Sequence, residues 1–330
     1  MRILVTGGAG FIGRAVVARL ADRGDEVTAL VREPARAGFL ARDGVTLVPS
    51  DLTDPAALRD AMAGADAVIH AAGSYRVGIP DDERPAMWDA NVGTTERVLD
   101  AAIEAGAPRI VYVSTNGIHG NTRGAIVDET HRRPAADGFL SWYDETKLRA
   151  HEAAEARIGR GAPVIIVQPG QTFGPHDHSA VGAQLAQAHA GRLRAVAFGD
   201  AGLAWAHVDD LAGGLLTALD RGRIGEAYSL GGECLRLRDA LAIAARMGGH
   251  RPPRLTVPTR LLRLVAPVND RVGGLPGMPP NLREAVEASD GVTYWVSNAK
   301  AGRELGYAPR TVEQGIGDTF GRAGTGATRG

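Results

Sequence analysis

A single cysteine, Cys234, stands among 330 residues. One thiol closes no internal disulfide and builds no thiolate metal site by itself, and its scarcity fits a reducing compartment. An excess of either charge is also missing: 37 Lys and Arg face 38 Asp and Glu, a formal net charge of -1. That balance gives no electrostatic basis for a nucleic-acid partner or an acidic membrane, and no run of Lys or Arg supplies a local one. No stretch reaches the roughly 20 apolar residues of a membrane span. Met1-Arg2 runs directly into Ile3-Leu4-Val5, with no signal-type segment ahead of it. The expectation is a soluble, unprocessed, cytoplasmic protein with no membrane or nucleic-acid partner.

What the chain does have is alternation. Short apolar runs rich in Val and Ile (Arg2 to Val5, Glu26 to Val31, Thr46 to Pro49, Ala67 to His70, Arg109 to Val113, Pro163 to Val167) read as strands. Helical patterns separate them: Arg14 to Arg23, Trp88 to Ala105 and Trp142 to Ile158. This is the signature of an α/β fold, a doubly wound parallel sheet of the Rossmann type. After Pro169 the rhythm breaks, and Arg251 to Pro280 is proline-punctuated with Leu261, Leu262, Leu264 and Val265 clustered. That part predicts a smaller, mostly C-terminal cap over the sheet.

Thr6-Gly7-Gly8-Ala9-Gly10-Phe11-Ile12-Gly13 follows the first strand and opens a helix. Gly7 would permit the sharp turn, Gly10 close approach of backbone amides to a pyrophosphate, and Gly13 tight helix–strand packing, with Phe11 and Ile12 beginning the helix. The turn therefore predicts a dinucleotide. Residues 1–175 form the expected dinucleotide-binding domain, with 205–232 returning to it; 176–204 and 233–320 form the substrate cap, and 321–330 a tail. At the end of the second strand, Val31 stands where an acid would hold the adenosine ribose, while Arg32 and Arg36 could pair with a 2′-phosphate. NADP is expected and NAD stays open, as does the reading of both arginines as solvated loop charges. Asp51-Leu52 could sit at the adenine edge, or Asp51 could cap the helix that starts near Asp54-Pro55.

Tyr143 and Lys147 are four residues apart, hence on one helical face. A lysine cation and a positive nicotinamide would favour the phenolate and lower the phenol's pKa, so that Tyr143 could exchange a proton with a substrate oxygen. Lys147 would also hold cofactor ribose hydroxyls. Thr115, at the expected end of the fifth strand, could hydrogen-bond the same oxygen; Ser114 or Thr115 could instead be a plain turn residue.

The ordered set TGGAGFIG, DL at Asp51, HAAG at His70, NVGTTERVL at Asn91, VYVST at Val111, YDETK at Tyr143, PGQTFGP at Pro169 and HVDDLA at His207 resembles the extended short-chain dehydrogenase/reductase family. This is the group of epimerase/dehydratase-type and dihydroflavonol-reductase-like enzymes, and the resemblance runs on to NAKAGRELGYAPR at Asn298. It implies that Thr115, Tyr143 and Lys147 are catalytic and that Gly7, Gly10 and Gly13 cradle the pyrophosphate. Asp51 would contact adenine, and Ala71, Ala72 and Gly73 would line the nicotinamide. Asn91 matches an asparagine that supports a proton relay, or here a helix bend. His119 and Thr146 depart from the usual Tyr and Ser.

Nucleotide-sugar members of that family present an Asn and an Arg to the substrate pyrophosphate where this chain has Gln171 and Leu203. Trp205, Trp295 and the leucines near Leu261 suit an apolar or aromatic substrate, or simply form cap core. The favoured expectation is an NADP-dependent oxidoreductase acting on the carbonyl or alcohol of a small molecule. A nucleotide-sugar epimerase or dehydratase with tightly bound NAD is the alternative, and a non-catalytic dinucleotide sensor a third reading. Family analogy implies a homodimer through the Trp88 and Trp142 helices. His176-Asp177-His178 lacks further ligands and predicts no metal site. Asp209 or Asp210 is expected to cap the following helix, and Glu152 and Glu155 to be solvated.

Overall fold

A computed structural model describes residues 1–275 and 278–321. The first half of the chain alternates β1 (Arg2–Thr6), α1 (Phe11–Asp22), β2 (Glu26–Val31), β3 (Val45–Pro49), α2 (Pro55–Met62) and β4 (Ala67–His70). It continues through α3 (Arg84–Trp88), α4 (Thr94–Glu104), β5 (Ile110–Val113), α5 (Trp142–Ile158) and β6 (Val164–Pro169). Then come β7 (Gln171–Phe173), α6 (Ala180–His189), β8 (Ala195–Ala197), β9 (Gly202–His207), α7 (Val208–Arg221), β10 (Ala227–Leu230), β11 (Glu233–Arg236) and α8 (Leu237–Met247). The last elements are β12 (Leu255–Val257), α9 (Thr259–Arg271), α10 (Leu282–Glu287), β13 (Thr293–Tyr294), α11 (Ala299–Leu305) and α12 (Val312–Phe320).

Seven strands form one parallel sheet in the order β10-β6-β5-β4-β1-β2-β3. Every residue of β4, β5 and β6 is buried, because helices cover both faces and leave no solvated side to mark with polar residues. Ile3 and Val5 pack with Val16, Val17 and Leu20 of α1 and Leu211, Leu215 and Leu219 of α7. Leu4 turns the other way, toward Leu58 of α2, Val98 and Leu99 of α4 and Ala150 of α5. The chain reverses its direction of travel between β1 and β4, so the carboxyl ends of these neighbours form the crevice where open α/β sheets take ligands.

The cap has its own small sheet, in which β9 pairs with β7, β11 and β13, and a separate β8–β12 pair. These strands lie where no strand was expected, because their pairings join distant residues such as Gly202 and Thr293. Phe173, Trp205, Leu237 and Leu241 form its core. Trp205 is 1% exposed, so it is cap core and not a substrate wall. All but Gly321 of the expected tail lies outside the described residues.

Several boundaries move. The first helix begins at Phe11, capped by the backbone of Gly10, and not at Arg14. The helix expected from Trp88 starts at Arg84 and contains a π turn over Asp89–Gly93 that carries Asn91. Asp54, not Asp51, caps α2, accepting from the amides of Ala56 and Ala57. Neither Asp209 nor Asp210 caps α7: the ring nitrogen Nδ1 of His207 accepts from Asp209 N at 3.2 Å. Asp210 instead takes Arg310, with contacts between 2.9 and 3.1 Å. Glu155 is not simply solvated, since it lies 3.4 Å from His151 Nε2 and 2.9 Å from Arg132. No helix among the described residues is long and apolar enough to cross a membrane.

Candidate active site

Backbone geometry makes the glycine turn. Gly7 has φ +72°, a left-handed conformation that suits a residue without Cβ. A Cβ on Gly7 would meet Ala72 N at 2.6 Å, and one on Gly13 would meet Gly7 O at 2.0 Å. The turn, the start of α1 and the Ala71-Ala72-Gly73 segment after β4 are thus pressed together at the switch point. Gly10 caps α1 with no side-chain hydrogen bond, so the first-turn amides at Phe11 and Ile12 receive no side-chain acceptor. An uncapped positive helix end beside glycines that admit close approach fits the pyrophosphate of a dinucleotide.

A buried histidine braces this cradle. The His70 ring bridges Thr6 Oγ1 at 2.7 Å and Thr95 Oγ1 at 3.1 Å, and Ala72 N donates to Thr6 Oγ1 at 3.4 Å. Burial, and then the charge of Lys147, push the pKa of His70 down to about 3, so the ring is neutral. Asn91 holds the next stretch: its Oδ1 accepts from Ser74 N at 2.7 Å, and its Nδ2 donates to Ser74 O at 3.0 Å and Thr146 Oγ1 at 2.9 Å. Thr146 Oγ1 in turn donates to Tyr143 O at 2.9 Å. The π turn therefore ties the loop after β4 to the helix of Tyr143.

Around the sheet's other candidate residues the cradle thins. Val31 is 3% exposed and points inward, while Arg32 stands exposed just past β2. Arg36 is exposed and lies 3.5 Å from Glu33, which makes it a surface pair. Asp51 accepts from Thr53 N at 3.0 Å and Thr53 Oγ1 at 2.6 Å, bonds that hold its carboxyl below the usual range. Leu52 has φ +64°, and its carbonyl accepts from Arg97 Nε at 2.9 Å. A further cation that sequence reading passed over, Arg14, lies in the first turn of α1 with its guanidinium 4.6 Å from the centre of the exposed Phe39 ring.

Tyr143 and Lys147 lie on the inner side of α5, whose N-terminus is capped by Ser141 accepting from Asp144 N at 3.1 Å. β5 ends at Val113, so Thr115 is past the strand, where it caps the turn Asn116–His119 by accepting from Gly117 N at 3.1 Å. Its hydroxyl lies close enough to the Tyr143 phenol to draw that group's pKa down. The Tyr143 ring meets Tyr75 edge-on, with centroids 4.8 Å apart. Lys147 Nζ donates to Val113 O at 3.2 Å and lies 5.4 Å from the centre of the Tyr112 ring.

Burial pushes the Tyr143 phenol well up, the nearby Tyr75 adds to this, and Thr115 pulls it back only in part. The Lys147 ammonium is turned to the Val113 carbonyl, and burial draws its own pKa down to about 8. Burial thus favours the neutral phenol. His119, at its departing position, is buried between His131 O at 3.1 Å and Gln168 Oε1 at 3.3 Å, and burial lowers its pKa to about 4.

Two polar joints set the start of α5, and neither left a local signal in sequence. Glu284 of α10 accepts from Trp142 N at 3.1 Å and Gly78 N at 3.3 Å, clamping the cap to both α5 and the loop after β4. A cavity of about 610 Å³ opens beside this joint, lined by Arg84, Trp142, Glu145 and Glu284 among others; neither Tyr143 nor Thr115 lines it. Asp144 pairs with Arg133 Nη1 at 2.7 and 2.8 Å, both side chains nearly fully buried. Burial raises the Asp144 carboxyl more than Arg133 lowers it, so the pair as a whole adds little stability. Removing one member is different, because it strands a buried guanidinium. Asp144→Ala is expected to lower unfolding free energy by about 3–5 kcal/mol, measurable by urea denaturation. Asp144→Asn, which can still accept from Leu140 N, should lose less.

Among the described residues no group of three or more His, Cys, Asp or Glu is placed to hold a metal ion. His176 has φ +69°, and Asp177 accepts from Ser179 N at 2.8 Å.

The sequence pattern of the NAD dependent epimerase/dehydratase family matches residues 3–231. A 4-hydroxy-2-methyl-3-oxo-4-farnesyl-3,4-dihydroquinoline-1-oxide ketoreductase of Stigmatella aurantiaca is 31% identical over 98% of this chain and 97% of its own. Among solved structures, that of gox2253 is 34% identical with a TM-score of 0.82, covering 96% of both chains. A dTDP-glucose 4,6-dehydratase from Streptomyces venezuelae, DesIV, with NAD and DAU bound, is 26% identical with a TM-score of 0.75, over 97% of this chain and 95% of that one.

Proposed function

The chain belongs to the NAD-dependent epimerase/dehydratase family of extended short-chain dehydrogenases and is an enzyme, and we propose that it is an NADP-dependent reductase or dehydrogenase of a small apolar or aromatic carbonyl compound or alcohol. The observation that supports this reading is that Thr115, just past β5, and Tyr143, in the first turn of α5, stand at the same sheet end as the Gly7–Gly13 cradle.

A nicotinamide bound there supplies the hydride or accepts it. The remaining tasks fall to this chain's side chains. Gly7, Gly10, Phe11, Ile12 and Gly13 present backbone to the pyrophosphate, Asp51 and Leu52 border the adenine, and Ala71, Ala72 and Gly73 line the nicotinamide end. Lys147 holds the ribose hydroxyls once it turns from Val113 O. Thr115 accepts from Gly117 N through one lone pair and keeps its proton to orient the substrate oxygen. Tyr143, held protonated by burial, gives its proton to that oxygen during reduction and takes one back in the reverse direction.

The reductase reading is supported over the nucleotide-sugar reading by two positions. Leu203 packs with the apolar cap core, and Gln171 Nε2 donates to Thr172 O at 3.2 Å. A diphosphate dianion needs charged or multiple donors; Leu203 offers none, and the Gln171 amide already donates to Thr172. Screening NADPH oxidation over ketones, aldehydes and quinones beside nucleotide sugars tests the choice; turnover of nucleotide sugars alone would reverse it.

The NADP preference rests on exposed Arg32 and inward Val31. Arg32→Glu is expected to weaken NADPH binding about ten- to a hundredfold, the worth of one charge-assisted contact, and to leave NADH binding nearly unchanged. Fluorescence titration with both coenzymes measures this, and tighter NADH binding by the unaltered protein would overturn the assignment. A homodimer through α3, α4 and α5 is part of the proposal. Trp88 is 37% exposed and lies 5.8 Å from the Trp142 ring, an aromatic pair at the surface of those helices. Light scattering reads the mass directly.

A further inference from the structure

One side of α9 is apolar and faces solvent. Leu261, Leu264 and Val268, with Val272 just past the helix end, are 50%, 75%, 60% and 60% exposed. Their spacings of three, four and four place one residue per turn along a single stripe. Leu262, Ala266 and Asn269 occupy the adjoining side and are buried, the first two against Leu282 and Val286 of α10. The stripe is therefore surplus to what holds the cap together.

Its flank is basic. Arg260 and Arg271 are exposed beside the stripe, and Arg254 and the 66% exposed Leu255 precede it on β12 and its approach. The helix's one acid, Asp270, is engaged elsewhere, accepting from Leu282 N at 2.7 Å and Asn269 Nδ2 at 3.1 Å. Asp290 is engaged by Arg263 at 2.7 Å, and the exposed Glu287 of α10 shares its helix with the exposed Arg283. A helix with a Leu/Val stripe bordered by arginines has the composition of one that lies in a lipid interface, its apolar side chains among the acyl chains and its guanidiniums on headgroup phosphates.

We propose that this face of the cap docks the enzyme on an anionic lipid surface through Leu261, Leu264, Val268 and Val272, with Arg260 and Arg271 on the phosphates. A second copy of the chain is a poorer occupant, because a twofold contact would set Arg260 and Arg271 of both copies against each other. The net charge of -1 hides such a patch, since the arginines are brought to one side by helical turns and by no run in sequence. The face lies two elements from Tyr143: α9 packs on α10, whose Glu284 holds the first amide of α5. Docking does not depend on the reaction assigned above, and its test needs no substrate.

The full chain is sedimented with vesicles of phosphatidylcholine, with and without phosphatidylglycerol. It is expected to pellet with the anionic vesicles and far less with the neutral ones. The double variant L264E/V268E and, separately, R260E/R271E should each pellet about tenfold less, the loss expected when either the acyl or the phosphate contact is removed. Unchanged thermal melting would show both variants folded, as expected for side chains this exposed. Failure of the unaltered chain to pellet, or equal pelleting of the variants, would overturn the proposal. So would variants that change the mass in solution without changing vesicle binding, which would assign the face to a second copy.

Discussion

Tyr143→Phe is expected to lower kcat by about two to four orders of magnitude, the usual worth of a positioned acid or base, while coenzyme binding stays within a few-fold. The change removes one oxygen from a ring whose packing against Tyr75 stays as it was. The nearby Thr115 hydroxyl still accepts from Gly117 N and so keeps its place. Because the ring stays and the acid goes, a stability loss cannot account for a fall in turnover of this size. Steady-state kinetics with separate titration of the coenzyme separates the two readings. A variant that binds coenzyme and turns over normally would remove Tyr143 from the chemistry; a protein that binds coenzyme with no turnover in either form would favour the sensor reading.

Gly13→Ala should have the second largest effect. A Cβ there would sit 2.0 Å from the Gly7 carbonyl oxygen, and Gly7 is itself closed in, since the Ala71-Ala72 backbone leaves no space for even a Cβ on it. Relief requires α1 to move away from β1, which widens the cradle and disturbs the buried packing of Val16 and Val17. Coenzyme affinity is expected to fall more than about a hundredfold, with a loss of roughly 3 kcal/mol of stability, the upper range for overpacking a tight contact. Gly10→Ala is the control for packing alone: its Cβ would stand 3.2 Å from the same oxygen, a distance that a shift of tenths of an ångström relieves. Thermal melting of the two variants should differ clearly, and coenzyme titration measures the loss in Gly13→Ala. Equal, mild effects would mean that the turn is looser than its geometry states.

The sheet was legible because its strands are buried on both faces and carry their signal locally. Glu26–Val31 and Ala67–His70 stand where the apolar runs placed them, as does the helix Trp142–Ile158. The glycine turn was legible for the same reason, since its spacing encodes a backbone path within eight residues. Two kinds of feature were not. Competing caps a few residues apart were not separable: Asp51 was one open reading for α2, where Asp54 caps, and Asp209 or Asp210 was expected on α7, where the His207 ring caps. Which nearby acceptor reaches an amide depends on the exact turn, and composition does not specify it.

The other illegible features join residues far apart in the chain. Gly202 meets Thr293 across the cap sheet, Glu284 meets Trp142 at the start of α5, and Arg133 meets Asp144 through an intervening loop. None of these pairs shares a periodic pattern. The phenol's surroundings depend on side-chain reach as well as on spacing. Spacing put Lys147 on the same helical face as Tyr143, but the side chain's length lets its ammonium choose the Val113 carbonyl, and burial then decides the phenol's state.

The proposed reaction is net redox chemistry on a carbonyl, with Tyr143 handling the proton. Mixing the purified chain with NADPH and a panel of apolar and aromatic ketones, and following the loss of reduced coenzyme against the alcohol formed, decides it. Equal amounts of coenzyme consumed and alcohol produced are expected for at least one such ketone, and turnover is expected to be lost in Tyr143→Phe. Conversion of a nucleotide sugar with no net change in coenzyme, and no ketone reduced, would contradict it.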